Sequence, residues 1–411
     1  MLDINFIRQN PEKIKDGIER KGINSKIVDD FLIFDKTWRE LVKESDNLRA
    51  SQKKLGKENI EEAKKIKQKV QLIEEELKQV EIQREEILSQ MPNLPFDDVP
   101  VGKSEKENIV IREVGEKPKL NFSPKDHLEL AKDLDIIDFE TAAKVSGSGF
   151  YYFKNQGVFL EMSLIQFALD LLREKEFSLW LTPDLAKKQF YTGTGYLPKG
   201  PEAQTYLIEE SDLGLIATSE VTLAGIHSDE ILKQDDLPKY YAGYSHCFRQ
   251  EAGAYGKYSK GLYRVHQFSK IEMFVYAKPE ESQNIHEKLL LIEEELWQKL
   301  GIPYRVLEMC TGDLGAQAAK KYDLEAWMPG RGDWGEITST SNTTDYQARR
   351  LNIRFKKEKG EIGFVHTLNG TAIAVSRALV AILENYQQKD GSVLMPEVLK
   401  KYLGFDKISK K

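Results

Sequence analysis

The chain has 411 residues, 40% hydrophobic and 31% charged, enough apolar material for a core of two or three domains and too much for wholesale disorder. Sixty basic against 66 acidic residues leave a net charge of -6, which excludes a uniformly basic nucleic-acid coat but not a local basic patch. Met1-Leu2-Asp3-Ile4-Asn5-Phe6 shows no secretory signal, the apolar run 378–383 is far short of the ~20 residues a membrane helix needs, and Cys247 and Cys310 alone cannot build a disulfide framework or a CxxC zinc site, so a soluble cytoplasmic protein with no membrane partner is expected.

Near the N-terminus, apolar residues recur with spacings of four and three: Ile27, Phe31, Phe34, Trp38, Leu41, Leu48 and Leu55, with Ser45 and Gln52 filling the two gaps. A second run reads Ile66, Val70, Ile73, Leu77, Val80, Ile87 and Met91, with Arg84 in register. This is the a/d seam of a coiled coil. Residues 56–60 interrupt it with Gly56 and Asn59, a turn signal, so an antiparallel two-helix hairpin is expected. At 1.5 Å per residue the first helix spans about 44 Å, more than a compact domain needs, which predicts a projecting arm. Residues 49–69, at the expected tip, hold eight basic and three acidic residues; residues 70–90 hold two basic and six acidic. A basic tip suits a phosphate backbone, although charge runs on coiled-coil faces are commonly just solvated. Pro92, Pro95 and Pro100 then end the hairpin, giving residues 1–100 as one domain and residues 101–411 as another.

In the second domain, β-rich segments (151–153, 213–217, 264–276, 364–367) mix with helical ones (160–174, 279–300, 372–386) without a steady strand–helix–strand rhythm. That favours an α+β fold, an antiparallel sheet flanked by helices, over a doubly wound sheet. Several motifs fail on inspection. Gly102-Lys103-Ser104 resembles the end of a phosphate loop, but Asp97 stands where its first glycine belongs and no strand precedes it. Phe268-Ser269-Lys270 lacks a His-x-Gly-His partner, Arg331-Gly332-Asp333 is an adhesion tripeptide by letter only, and the six histidines are too scattered for a zinc site.

Three constellations carry more weight. Phe248-Arg249-Gln250-Glu251 precedes a loop with Gly256, Lys257, Lys260 and Gly261, and Arg264-Val265-His266-Gln267-Phe268 and Ile271-Glu272 follow. Arginines at both ends suit the clamping of a polyanion; a β-hairpin with surface ion pairs is the plainer reading. Glu336-Ile337-Thr338-Ser339 sets a carboxylate and a hydroxyl three residues apart, donors suited to a hard Mg²⁺ shared with phosphates. A helix capping box would carry them in the opposite order. In Thr367-Leu368-Asn369-Gly370-Thr371-Ala372-Ile373-Ala374-Val375-Ser376-Arg377 the chain passes from a strand into an apolar helix, and an arginine buried there needs an anion, for which a phosphate would serve.

In this order these segments resemble the three signature motifs of the class II aminoacyl-tRNA synthetases, in particular the seryl-tRNA synthetase family. The first motif corresponds to Leu181-Thr182-Pro183-Asp184 with Thr192-Gly193-Thr194-Gly195-Tyr196-Leu197-Pro198. Ala217-Thr218-Ser219-Glu220, Cys310-Thr311-Gly312-Asp313-Leu314-Gly315, Ser341-Asn342 and Gln347-Ala348-Arg349-Arg350 also look seryl-specific, and the likeness covers nearly the whole chain. One departure is Gly370-Thr371-Ala372, where many members carry Gly-Ser-Gly; threonine keeps the hydroxyl. The resemblance implies a homodimer that joins L-serine to serine tRNA with ATP and Mg²⁺, with selenocysteine tRNA a further candidate and residues 1–100 binding tRNA.

The resemblance also implies site roles. ATP would be bound by Arg249, Gln250, Glu251, Val265, Phe268, Glu336, Ile337, Thr338, Ser339 and Arg377. Of these, Arg249 would hold the α-phosphate, Glu251 the adenine amino group, Phe268 the adenine face and Arg377 the γ-phosphate. Glu336 and Ser339 would ligate Mg²⁺, and Arg249 and Arg377 would be the catalytic pair. Serine would meet Arg264 at its carboxylate, Thr218, Ser219 and Glu220 near its amino group, and Glu272, Asn369 and Thr371 at its hydroxyl. The runner-up is a seryl-like ligase that loads an amino acid onto a carrier protein; such relatives lack the arm.

Overall fold

The computed structural model describes residues 1–55, 59–196, 205–251, 261–358 and 360–410. Three expectations fall wholly or partly outside these residues: the turn residues Gly56, Lys57 and Glu58, the Leu197-Pro198 end of the first motif, and the loop residues Gly256, Lys257 and Lys260. The chain divides into two compact units, Met1–Pro95 and Phe96–Lys411.

The first unit is helical. Short helices α1 (Ile4–Gln9) and α2 (Pro11–Arg20) precede two long ones, α3 (Lys26–Lys54) and α4 (Ile60–Gln90). Asp3 caps α1 by accepting from the Asn5 and Phe6 amides, and Pro11 opens α2, where its missing N–H costs nothing. Contacts between α3 and α4 run in opposite directions along the two helices: Asp35 meets Arg84, Arg49 meets Glu74, and Gln52 donates to the Ala63 carbonyl at 3.3 Å. The antiparallel hairpin is therefore present. The structure also explains the arginine in the seam. Fully buried Asp35 accepts from Arg84 Nε at 2.9 Å and, in a bidentate fork, from Arg8 Nε and Nη2, both at 2.8 Å. Desolvation alone would raise the Asp35 pKa, but these two arginines reverse it and hold it below the usual carboxylate range. Periodicity showed Arg84 in register but not its partner, because Asp35 breaks the apolar pattern.

The second unit is built on an eight-stranded sheet. Its strands are β1 (Ile109–Val114), β2 (Ser178–Leu181), β3 (Lys239–Phe248), β4 (Gln267–Ala277), β5 (Tyr304–Glu308), β6 (Lys320–Met328), β7 (Asp333–Asn342) and β8 (His366–Ala374). They lie in the order β1-β5-β6-β7-β8-β4-β3-β2, and every pairing is antiparallel except that of β2 with β3 at one edge. Three helices cover one face: α5 (Gln156–Glu174), α6 (Ser282–Lys299) and α8 (Val375–Asn385). Leu164 and Phe167 of α5, Leu289 and Trp297 of α6, and Leu379 and Leu383 of α8 pack there on Ile271, Met273, Leu324 and Ile373 of the sheet. A short helix, α7 (Tyr346–Leu351), lies on the other side with a smaller core around Phe274, Tyr276 and Leu351.

Strand alternation decides which side chains face away from the helices. On β4, Ile271, Met273 and Val275 enter the main core, which turns Phe268, Lys270 and Glu272 to the opposite face. Two bulges shift this alternation where it matters. Between β6 and β7, Glu325 pairs with Glu336 but Leu324 with Thr338, so Ile337 is an extra residue. Between β4 and β8, Ile271 pairs with Ile373 but Glu272 with Thr371, so Ala372 is extra. The sequence suggested a helix from residue 372. The structure keeps residues 372–374 in β8 and starts α8 at Val375, because an apolar run suits a buried strand as well as a buried helix and the ladder with β4 decides between them.

Candidate active site

On the face opposite α5, α6 and α8 the central strands floor a cavity of about 390 Å³. Fourteen of the seventeen residues singled out in the sequence line it: Glu220, Arg249, Glu251, Arg264, Val265, Phe268, Glu272, Glu336, Ile337, Thr338, Ser339, Asn369, Thr371 and Arg377. Three stand off the wall. Thr218 and Ser219 are buried, with Thr218 Oγ1 accepting from the Glu220 amide at 3.1 Å and Ser219 Oγ donating to the Gly243 carbonyl at 3.0 Å. Gln250 points to the Thr205 carbonyl, 3.0 Å away.

One end is cationic. Arg377, in the first turn of α8, pairs with Glu336 through Nη1–Oε1 at 2.8 Å, and its guanidinium lies 5.1 Å from the Tyr263 ring centre. Burial alone would raise the Glu336 pKa, but Arg377 and Lys321 reverse the shift and keep it ionised. The bulge at Ile337 puts Glu336 and Ser339 on the same face despite their odd spacing. Together they offer one carboxylate and one hydroxyl, the hard oxygen donors with which a magnesium ion is held when phosphates and water complete its shell, so the residues fit the ion. No cluster of three or more His, Cys, Asp or Glu suited to a metal occurs among the described residues. Arg249 follows β3 and lies 5.2 Å from the centre of the Phe268 ring. Arg264 Nε is 3.5 Å from Glu251 Oε2, and Glu251 itself adopts a left-handed φ of 49° that few non-glycine residues take.

The other end is anionic. Glu272 on β4 accepts from Thr371 Oγ1 and from Asn369 Nδ2, both at 3.1 Å, and pairs with Lys270. Glu220 opens a short helix, Glu220–Gly225, and accepts from Gln347 Nε2 at 2.7 Å, Tyr196 OH at 3.1 Å and Asn369 Nδ2 at 3.2 Å. Burial and the nearby Glu272 charge push its pKa up to about 7. Asn369 Nδ2 serves both carboxylates, while its Oδ1 is a buried acceptor without a hydrogen-bond partner among the described residues. Behind the wall, Thr338 donates to Glu293 Oε2 at 2.8 Å, and burial drives Glu293 well above the usual carboxylate range. A Cβ at Gly370 would come within 2.8 Å of Glu293 Oε1, so a side chain there would force the Glu293 carboxylate to shift.

Sequence reasoning gave no site role to Tyr196, Tyr263, Lys270, Lys321 or Gln347. Lys270 could have been found, since it stands two residues before Glu272 and strand alternation puts both on one face. Gln347 sits in a segment flagged only by resemblance and given no role. Nothing in the sequence marks Tyr263 or Lys321.

Comparison with known proteins places the whole chain in one family. Residues 1–95 match the "Seryl-tRNA synthetase N-terminal domain" family, and residues 205–386 match the "tRNA synthetase class II core domain (G, H, P, S and T)" family. A serine–tRNA ligase of Dictyoglomus turgidum is 52% identical over 424 aligned positions, covering 100% of both chains. One from Treponema denticola is 51% identical over 421 positions, covering 99% of this chain and 100% of its own. Among solved structures, the seryl-tRNA synthetase of Pyrococcus horikoshii complexed with ATP superposes with a TM-score of 0.94 at 44% identity, covering 100% of both chains.

Proposed function

The chain belongs to the seryl-tRNA synthetase family of class II ligases, and from that premise we propose how its own residues carry out the ATP-dependent ligation of serine to tRNA. Relatives alike over the full length, first unit included, are serine–tRNA ligases, which leaves the carrier-protein alternative without support. The observation that carries the residue-level reading is the cavity's division into a cationic and an anionic end.

ATP lies with its phosphates toward Arg249 and Arg377 and its adenine on Phe268, with Glu251, Val265 and the Glu336–Ser339 backbone beside it. Serine lies at the other end. Its ammonium meets Glu220, its hydroxyl meets Glu272, Asn369 and Thr371, and its carboxylate turns toward Arg264 and the α-phosphate. Already ionised, that carboxylate needs no general base. One of its oxygens attacks the α-phosphorus while the bond to the bridging oxygen breaks and pyrophosphate leaves with the electron pair. The requirement is to hold two anions together while charge builds on phosphate oxygens, and the two arginines meet it. Glu336 and Ser339 are the residues that would hold Mg²⁺, which adds charge neutralisation at the phosphates when bound. The terminal ribose hydroxyl of tRNA then attacks the seryl carbonyl and AMP leaves. Thr218, Ser219 and Gln250 act at one remove, as supports for the wall.

The N-terminal hairpin is proposed to bind serine tRNA, supported by the basic stretch 49–69 and by the family of residues 1–95. A homodimer is proposed from exposed apolar side chains on adjoining elements: Val158, Phe159 and Met162 on α5, and Leu179, Trp180 and Leu181 on β2. Cytoplasmic location is part of the same reading. ATP–pyrophosphate exchange tests the cationic end. Loss of one such donor costs about 2.7–4 kcal/mol of transition-state stabilisation, so R377A should lose about 100-fold or more in serine-dependent exchange. Near-normal exchange by R377A would sink the assignment.

A further inference from the structure

Gln347 is fully buried on α7 and stands behind the cavity wall rather than in it. Its Nε2 lies 2.7 Å from Glu220 Oε1 and 3.1 Å from the Thr194 carbonyl. Its Oε1 accepts from Thr367 Oγ1 at 2.9 Å, and Thr367 Oγ1 lies 2.6 Å from Thr343 Oγ1. Thr343 and Thr367 are also fully buried. The result is a buried run of polar groups, Thr343–Thr367–Gln347–Glu220, ending on a carboxylate of the anionic end.

The bonds fix the amide's orientation. The Thr194 carbonyl at Nε2 can never donate, so the NH₂ must face it, and the same NH₂ reaches Glu220 Oε1 and, at 3.3 Å, Gln317 Oε1. Turned over, the amide would set its oxygen against Glu220. A buried amide is tolerated only when its bonds are made, and an apolar side chain would fill the same space at less desolvation cost. What the amide adds is a donor on Glu220 Oε1 from outside the cavity. The two donors on Oε2, Tyr196 and Asn369, both belong to the wall itself.

We propose that Gln347 is a positioning residue for serine: its amide, locked by Thr367 and Thr343, orients the Glu220 carboxylate toward the substrate's ammonium group. This rests on the reading of Glu220 as the ammonium site. The titratable groups facing Glu220 are Glu272 and Lys270 from β4 and Tyr196. Glu272 and burial favour the neutral acid, whereas Gln347, Lys270 and Tyr196 favour the carboxylate that an ammonium requires.

The test uses the full-length enzyme in pyrophosphate exchange, with KM for serine and for ATP measured separately from about pH 6 to about pH 8.5. Losing a hydrogen bond to a charged group predicts that Q347L raises the serine KM roughly tenfold or more and leaves the ATP KM within about twofold. The penalty should grow as pH falls, because a carboxylate that has lost a donor protonates at higher pH. Q347E should show the reverse slope, since the introduced acid can donate to Glu220 only while protonated. Opposite slopes would not follow from a packing defect, and thermal melting of both variants monitors the fold. Serine and ATP KM rising together, an unchanged serine KM, or penalties independent of pH would each overturn the proposal. E220Q separates the two levels. If E220Q leaves serine KM unchanged, the ammonium-site reading fails; if it raises serine KM and Q347L does not, only the positioning role fails.

Discussion

Single residues carry two opposed electrostatic tasks within one cavity. Arg377 is only about one-fifth exposed, and the Glu336 carboxylate and Tyr263 favour its charged form against the cost of desolvation; in the proposed reaction it exchanges part of that carboxylate partner for phosphate. Glu220 is the converse: burial and the Glu272 charge push its pKa up and so favour the neutral acid, which in the proposed site a substrate ammonium would draw back to the carboxylate. The pKa of about 7 gives a pH prediction with a definite sign. The carboxylate predominates above that value, so kcat/KM for serine should fall as pH drops through it, by up to about tenfold per unit. The corresponding value for ATP, measured at saturating serine, should lack this limb; a serine profile flat down to about pH 5.5 would contradict the assignment. Residue types were legible here in part: paired arginines and a Glu and Ser three apart point to polyanion and Mg²⁺ chemistry, whereas the hydroxyl role of Asn369 and Thr371 came only from the family resemblance. What the sequence hid was why they share one wall. That depends on the extra residues Ile337 and Ala372, whose bulges exist only once β7 has met β6 and β8 has met β4.

Among the elements, the hairpin was readable because a heptad repeat is local, whereas the Asp35 ion pairs that cross it with Arg8 and Arg84 join residues far apart in sequence. The same contrast explains residues 372–374, where local apolarity suggested helix and the ladder with β4 imposes strand. Two short helices before residue 21 escaped notice because they are too brief for a repeat to register. Gln52, a polar seam position toward the distal end, reaches the Ala63 carbonyl, and the seven described basic residues of 49–69 lie at that same end. Deleting residues 48–66 and closing the helices with a short turn should leave serine–ATP exchange intact and cripple charging of serine tRNA. Wild-type tRNA affinity should also fall steeply with salt, because lysine and arginine contacts release counterions. Charging equal to the parent by the shortened enzyme would remove the hairpin from tRNA recognition.

For the molecule as a whole, the sheet separates two jobs. One face takes up the apolar sides of α5, α6 and α8 and fixes the strands; the other holds the polar cavity proposed to take the substrates on strands so fixed. The exposed apolar rows on α5 and β2 predict association with a second copy. Light scattering at micromolar concentration should give twice the 47.2 kDa chain mass, and the single-chain mass would count against the dimer.

The central claim is that the anionic end of the cavity reads serine by its hydroxyl and its ammonium together. A site built to hydrogen-bond a substrate hydroxyl rejects the analogue lacking it by about 10⁴-fold or more without editing. The most direct measurement is ATP–pyrophosphate exchange by the wild-type enzyme with each amino acid in turn. Serine should support rapid exchange, alanine should be activated at least about 10⁴-fold less efficiently, and threonine, with its extra methyl, should be excluded. Alanine within about tenfold of serine would show that Glu272, Asn369 and Thr371 do not read the hydroxyl.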